Sequence, residues 1–394
     1  MQTIMRKVVV ASDSFKGCLS SAQVADAVEK GIHEVYPDCE VVKLAVADGG
    51  DGTMEALAAT LGGSIVEVQV QDPLGRPVTA EYAIVDGTAA VIEMSRASGL
   101  TLLKEEERNP MLTSTFGTGE LIADALHKGC RKFLIGIGGS ATNDAGTGML
   151  EALGYRFKDA EGNHLKGRGE SLGKIKHIDS SNAVEGLKDA NFIVACDVDS
   201  PFCGPKGAAY IYGQQKGATP EMVRELDEGM QAFSRLIYKE TGTDVMTIKG
   251  AGAAGGLGGA LKAFLDADLK KGADMVLDAV CFDQAIEDAD LVITGEGKID
   301  SQTLNGKLPS AVARRASARN IPVIAICGRT EVENLPCFAS ICPVTAQEMP
   351  LEQAMQPDIA IVNIRRSIVE LSPALNKKGQ DLILPLFYAS RACS

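Results

Sequence analysis

The stretch from Asp72 to Met94, DPLGRPVTAEYAIVDGTAAVIEM, reads as a turn followed by a hairpin: Val78 to Val85 is extended, Asp86-Gly-Thr88 turns, and Ala89 to Met94 runs on as a second apolar segment. A short turn joins antiparallel strands, whereas parallel strands need a long crossover. A second domain therefore begins near this hairpin, because the chain before it follows another rhythm. Val8 to Ala11 is an apolar strand, and Val24, Val28, Ile32 and Val35 recur at helical spacing behind a Ser20/Gln23 capping box. Val41 to Val46 is a second strand, and Val66, Val68 and Val70 alternate as a third. The β/α alternation returns at Asp290-Leu-Val-Ile-Thr294, followed by a glycine loop from Gly295 to Thr303, a helix opened by Pro309, and a strand from Pro322 to Cys327. The expected fold is α/β: a Rossmann-like doubly wound parallel sheet from residues 1–75 and 281–394, interrupted by an inserted α/β domain, 76–280, with antiparallel or mixed strands. A chain of 394 residues suits two such domains.

Composition narrows the function. A net charge of −13 with no Lys/Arg cluster argues against nucleic acid. No apolar run reaches the ~18 residues that span a bilayer, and the chain enters its first strand almost at once, so the expectation is a cytoplasmic protein without membrane contact. The ten cysteines are scattered and predict buried thiols, and no C-x-x-C pair supports structural zinc. His33, His127, His164 and His177 all sit outside the glycine-rich loops, which leaves acid/base work to carboxylates.

Several loops could carry that work. Ile135 to Gly148, IGIGGSATNDAGTG, begins with the dinucleotide spacing Gly136, Gly138, Ala141, yet Gly146 and Gly148 interrupt the helix that should follow. Its Ser140, Thr142, Asn143 and Asp144 beside bare backbone suit phosphate oxygens and a metal, or else a tight strand-to-helix turn. No Walker A sequence exists. Asp48-Gly-Gly-Asp-Gly-Thr53 is similar to the G-G-D-G-T loop of diacylglycerol and NAD kinases; a capped β-turn is the plainer alternative. Asp13-Ser-Phe-Lys-Gly17 ends the first strand. Gly295-Glu-Gly-Lys-Ile-Asp300 sets two carboxylates around a lysine, suited to magnesium beside a phosphate or to an exposed ion-paired turn. If the Phe192–Cys196 strand persists, Asp197 and Asp199 share one face. Thr115 or Thr118 caps the helix around Leu121 to Leu126, and Gly250 to Ala260 reads as a close-approach segment.

Taken together, the segments DSFKGCLSS at 13, ADGGDGT at 47, DPLGRP at 72, NPMLTSTFGTGELI at 109, GIGGSATNDAGTGMLEALG at 136, DVDSPFCGPKGA at 197, QKGA at 215, AGAAGGLGGAL at 251 and TGEGKIDSQTLNGK at 294 resemble the bacterial glycerate kinases of the first type. The resemblance implies phosphorylation of D-glycerate by ATP with Mg2+, giving 2-phosphoglycerate, in a cleft between the two domains. It implies Asp197 as the base and Lys16 and Lys298 as charge-balancing cations. Phosphate and nucleotide would meet Gly49, Gly50, Gly52, Thr53, Gly138, Gly139, Ser140, Asn143, Gly295 and Gly297. Glycerate would meet Asp13, Ser14, Thr142 and Arg76, whose guanidinium could equally serve its own turn. Asp144, Asp199 and Glu296 are the expected metal ligands. Partners are the small molecules glycerate and ATP, with a homodimer left open. Two alternatives stay in view: an NAD-dependent hydroxyacid dehydrogenase, and a non-catalytic sensor of glycerate or nucleotide.

Overall fold

Val8, Val9, Val10 and Ala11 are all fully buried, as a strand covered on both faces demands. The computed structural model describes residues 5–375, apart from Asn305, Glu333, Asn334 and Gln347. Two compact units emerge, one from the chain up to Asp48 together with the chain from Val276 onward, the other from Gly49–Met275.

In the first unit the strands lie in the order Ser340–Pro343, Val323–Thr330, Leu291–Ile299, Lys7–Ser12, Glu40–Ala45, with every pair parallel. Val8, Val10, Ile293 and Ile326 share a core with Val24, Val28 and Ile32 of helix Ser21–Val35 and with Ile364 and Ile368 of helix Pro357–Leu375. The intervening Val9, Val292 and Ala325 are equally buried, and helix Leu308–Ser317 packs on the same strands. The sheet is thus doubly wound. The predicted capping box is present: Gln23 N donates to Ser20 Oγ at 3.3 Å, and Ser20 N to Gln23 Oε1 at 2.9 Å. Because Lys7–Ser12 lies between Glu40–Ala45 and the much later Leu291–Ile299, the topological switch point falls between Ser12 and its register partner Gly295.

In the second unit the hairpin forms as expected, with Val85 opposite Ala89. Ser64–Gln71 departs from the expectation of a third parallel strand and pairs antiparallel with Pro77–Val85. Its alternation explains why: Ile65, Glu67 and Gln69 are exposed while Val70 is buried, the pattern of a strand with one wet face. Ala89–Glu93, Lys132–Gly136, Asn191–Ala195 and Asp268–Lys270 run parallel to one another. Their C-terminal residues Glu93, Gly136, Ala195 and Lys270 stand in one register row. Phe133 and Phe192 stack beneath it with ring centroids 4.7 Å apart. A small antiparallel sheet, His164–Leu165, Arg156–Lys158 and His177–Asp179, completes the unit. The cysteines among the described residues are all free, and no helix among these residues is long and apolar enough to cross a membrane.

Candidate active site

At the switch point of the first unit the backbone N–H of Asp13 donates to the carbonyl of Gly295 at 2.9 Å, tying the two strand ends together. Burial and the negative charge of Asp48 push the Asp13 carboxyl up from 3.8 to about 7, with Glu296 adding to the effect against a hydrogen bond from Ser14 N at 2.6 Å. Burial also raises Glu296, whose two oxygens accept from Thr303 Oγ1 at 2.7 Å and Lys307 Nζ at 3.2 Å. Thr303 and Lys307 were not singled out by residue type, although both fall inside the TGEGKIDSQTLNGK segment. The expected loop from Gly295 is instead strand as far as Ile299, because Glu296, Lys298 and Ile299 stay in register with Cys327, Arg329 and Thr330. Lys298 is exposed and pairs with Glu331 at 2.7 Å. Lys16 is also exposed, and a Cβ built on Gly297 would lie 3.6 Å from its backbone nitrogen, so the two segments run side by side.

In the second unit, the Gly136–Gly148 loop is organised by Asp144, which is completely buried. Its carboxylate accepts from Thr115 N and Thr115 Oγ1, both at 2.8 Å, and from Gly146 N and Gly148 N, both at 3.1 Å. Asp144 is therefore no open metal ligand. Its oxygens are consumed in holding the loop, and burial raises its pKa despite those donors. Thr115 likewise does not cap the following helix with its side chain; its hydroxyl goes to Asp144 and accepts from Met149 N at 2.8 Å. Replacing Asp144 with alanine should cost about 3–5 kcal/mol of folding free energy, since it strands buried donors. Urea unfolding measures this, and a wild-type midpoint would argue for a ligand role after all.

The upper part of the same loop is built from hydroxyls. Thr142 N donates to Ser140 Oγ at 3.1 Å, and the two side-chain oxygens lie 3.1 Å apart. Lys216, absent from the expected site residues, reaches in from below and donates to Thr142 O at 2.6 Å. Asn143 Oδ1 and Thr53 Oγ1 are buried without a hydrogen-bond partner, as polar atoms meant for a ligand would be. Gly138 and Gly139 are exposed. Ala145 and Gly146 are left-handed (φ 50° and 73°), and the next helix starts only at Thr147, so the dinucleotide spacing lacks the helix that gives it meaning. Gly255 passes so close beneath that a Cβ would sit 2.1 Å from Thr142 O, the close approach expected of the Gly250–Ala260 segment.

Other expectations change. The strand before Asp197 ends at Ala195, so Asp197 and Asp199 do not share a strand face. Asp197 Oδ1 accepts from Gly272 N at 3.0 Å, and Asp199 lies 3.8 Å from Lys271 Nζ. The Arg76 guanidinium is taken by Asp72 and Glu107, each at 2.6 Å, which favours its turn-stabilising role. A Cβ on Gly49 would meet Gly272 Cα at 2.4 Å, so protein packing alone already requires that glycine. In helix Thr53–Leu61, which follows the Asp48–Thr53 loop, Met54 N donates to Glu93 Oε1 at 3.0 Å. Glu93 is a buried acid ending an apolar strand, a signal that the sequence shows at AVIEM.

Comparison with known proteins identifies the family. A solved chain assigned to glycerate kinase 2 from Salmonella typhimurium LT2 superposes with a TM-score of 0.87 at 43% identity, covering 94% of this chain and 98% of that one. "Glycerate kinase" of Bacillus subtilis (strain 168) is 45% identical over 355 residues, 89% of this chain and 93% of the relative. "Glycerate 2-kinase" of Escherichia coli (strain K12) is 48% identical over 323 residues, 82% and 85% of the two chains. The sequence model of the glycerate kinase family matches residues 8–371. The chain is a kinase and belongs to the glycerate kinase family.

Proposed function

We propose that this kinase transfers the γ-phosphoryl group of ATP to D-glycerate, giving 2-phosphoglycerate, with Mg2+ as its cofactor. The observation that carries the reading is the crowding of Asp13, Asp48 and Glu296 at the switch point, where open α/β sheets bind ligands. No three metal-ligating side chains among the described residues form a closed cage. Magnesium takes one or two carboxylates and completes its shell with water and phosphate oxygens. Asp48 and Glu296 would hold it; bound there, it would neutralise charge on the phosphates. Asp144 is enclosed by four loop donors and Asp199 faces Lys271, whereas the Lys307 contact of Glu296 is a partly exposed ion pair that a metal ion could replace.

Asp13 takes the role first given to Asp197. Its burial among like charges raises its affinity for a proton into the range useful for accepting one from a substrate hydroxyl near neutrality, whereas Asp197 is exposed. Lys16, Lys298 and Lys307 supply positive charge on the same unit, and Ser140, Thr142 and Asn143 offer hydroxyl and amide groups to carboxylate or phosphate oxygens. A coupled assay for ADP release with D-glycerate, followed by phosphorus NMR of the product, tests the reading. The expected result is Mg2+-dependent ADP release and a phosphate coupled to the C2 proton. No ADP release, or a phosphate on C3, contradicts it.

A further inference from the structure

Lys216 belongs to the QKGA segment at 215–218, lies in the short turn Gln214–Lys216, and is followed by left-handed Gly217 (φ 88°). Lys216 is only 2% exposed, and its ammonium is spent on atoms of the loop itself. Its ammonium donates to Thr142 O at 2.6 Å and to Ser140 Oγ at 3.4 Å. Ser140 Oγ in turn accepts from Thr142 N at 3.1 Å, so the lysine closes a small ring of polar atoms around the hydroxyls of this loop. Asp144, pinning the far half of the loop, is the anion that acts on Lys216, and the backbone of Arg108 packs against the neighbouring Gly217. A buried ammonium is a costly way to hold a carbonyl, and a methionine would fill such a space without that cost.

We propose that Lys216 is a positioning residue of the kinase: its ammonium holds the Ser140–Asn143 segment in the shape that binds the substrate's anionic oxygens, and does so only while charged. This rests on the reading of that segment as a binding loop. Burial lowers the lysine from 10.5 to about 8, with Asp144 opposing the shift. Between about 8 and 10.5 the unfolded chain therefore binds a proton that the folded chain does not, so the contribution of Lys216 to stability rises with pH. Loop function falls over the same window. A purely structural lysine would make the two trends run together, and a positioning lysine makes them part.

The test is steady-state ADP release with D-glycerate between about pH 6.5 and pH 10, with a thermal melt at each pH, for the wild type, Lys216→Arg and Lys216→Met. In the wild type, kcat/KM should fall about tenfold per pH unit above about 8, with no parallel fall in Tm. In Lys216→Arg that limb should vanish, because guanidinium stays charged. Lys216→Met, which decides the matter if the bulkier arginine does not fold, should lack the limb too. Its kcat/KM should be about a hundredfold below the wild-type value at neutral pH, chiefly through KM. An unchanged alkaline limb in either folded variant, or wild-type kcat/KM in Lys216→Met, overturns the inference alone. Absence of ADP release from the wild type at every pH overturns the proposed function and this inference with it.

Discussion

Replacing Asp13 with asparagine should lower kcat about a thousandfold while leaving the melting temperature at or above that of the wild type. The two effects share one cause. The carboxylate is buried beside Asp48 and Glu296, so its charge is unfavourable for the folded state and useful only for taking a proton. Asparagine keeps nearly the same shape and an oxygen able to accept from Ser14 N, which now lies 2.6 Å from Asp13 Oδ1. The measurement is kcat for ADP release beside a thermal melt. Substantial activity in the variant would remove Asp13 from the proton path, and a collapsed melt would make it structural.

The second large effect concerns the cations of the same rim. Lys16→Met and Lys298→Met should each reduce turnover on the order of a hundredfold, because a lysine beside a transferring phosphoryl group stabilises its spreading charge. Both lysines are exposed at the ends of neighbouring parallel strands, so neither substitution should move Tm appreciably. Lys298 has a partner in Glu331, but an exposed pair contributes little to stability. Glu331→Gln therefore serves as a control that should leave both kcat and Tm near the wild type. Near-normal turnover in both lysine variants would refute their shared role, and equal losses in Lys298→Met and Glu331→Gln would show that the ion pair is what matters.

Much of this architecture was legible because local chemistry and tertiary packing agree. The Ser20/Gln23 capping box, the hairpin around Asp86-Gly-Thr88 and the apolar strand at Val8–Ala11 all stand where residue type puts them. Ser64–Gln71 was misread because strand spacing reveals a strand but not its partner. The glycines at 295 and 297 looked like a loop, whereas the register with Val323–Thr330 extends the strand through them. At the site the limits were of another kind. Asp144 and Asp197 are the same residue in similar glycine-rich surroundings, yet one is completely buried and the other exposed, and burial depends on what the rest of the chain places above them. Lys216 was passed over for the same reason, since a lysine in a polar QKGA segment ordinarily points into solvent.

The split origin of the first unit also bears on how the protein is made. On the ribosome Lys7–Ser12 can meet Glu40–Ala45 early, but its other neighbour comes far later: the hydroxyl of Thr294 that donates to Ala11 O is 283 residues further along the chain. The N-terminal segment must therefore wait, with an apolar strand edge uncovered, while all of Gly49–Met275 is synthesised and can acquire its own core. Contacts of such separation are slow to form. Chaperone binding should therefore concentrate on Val8–Ala11 until the segment beyond Val276 emerges.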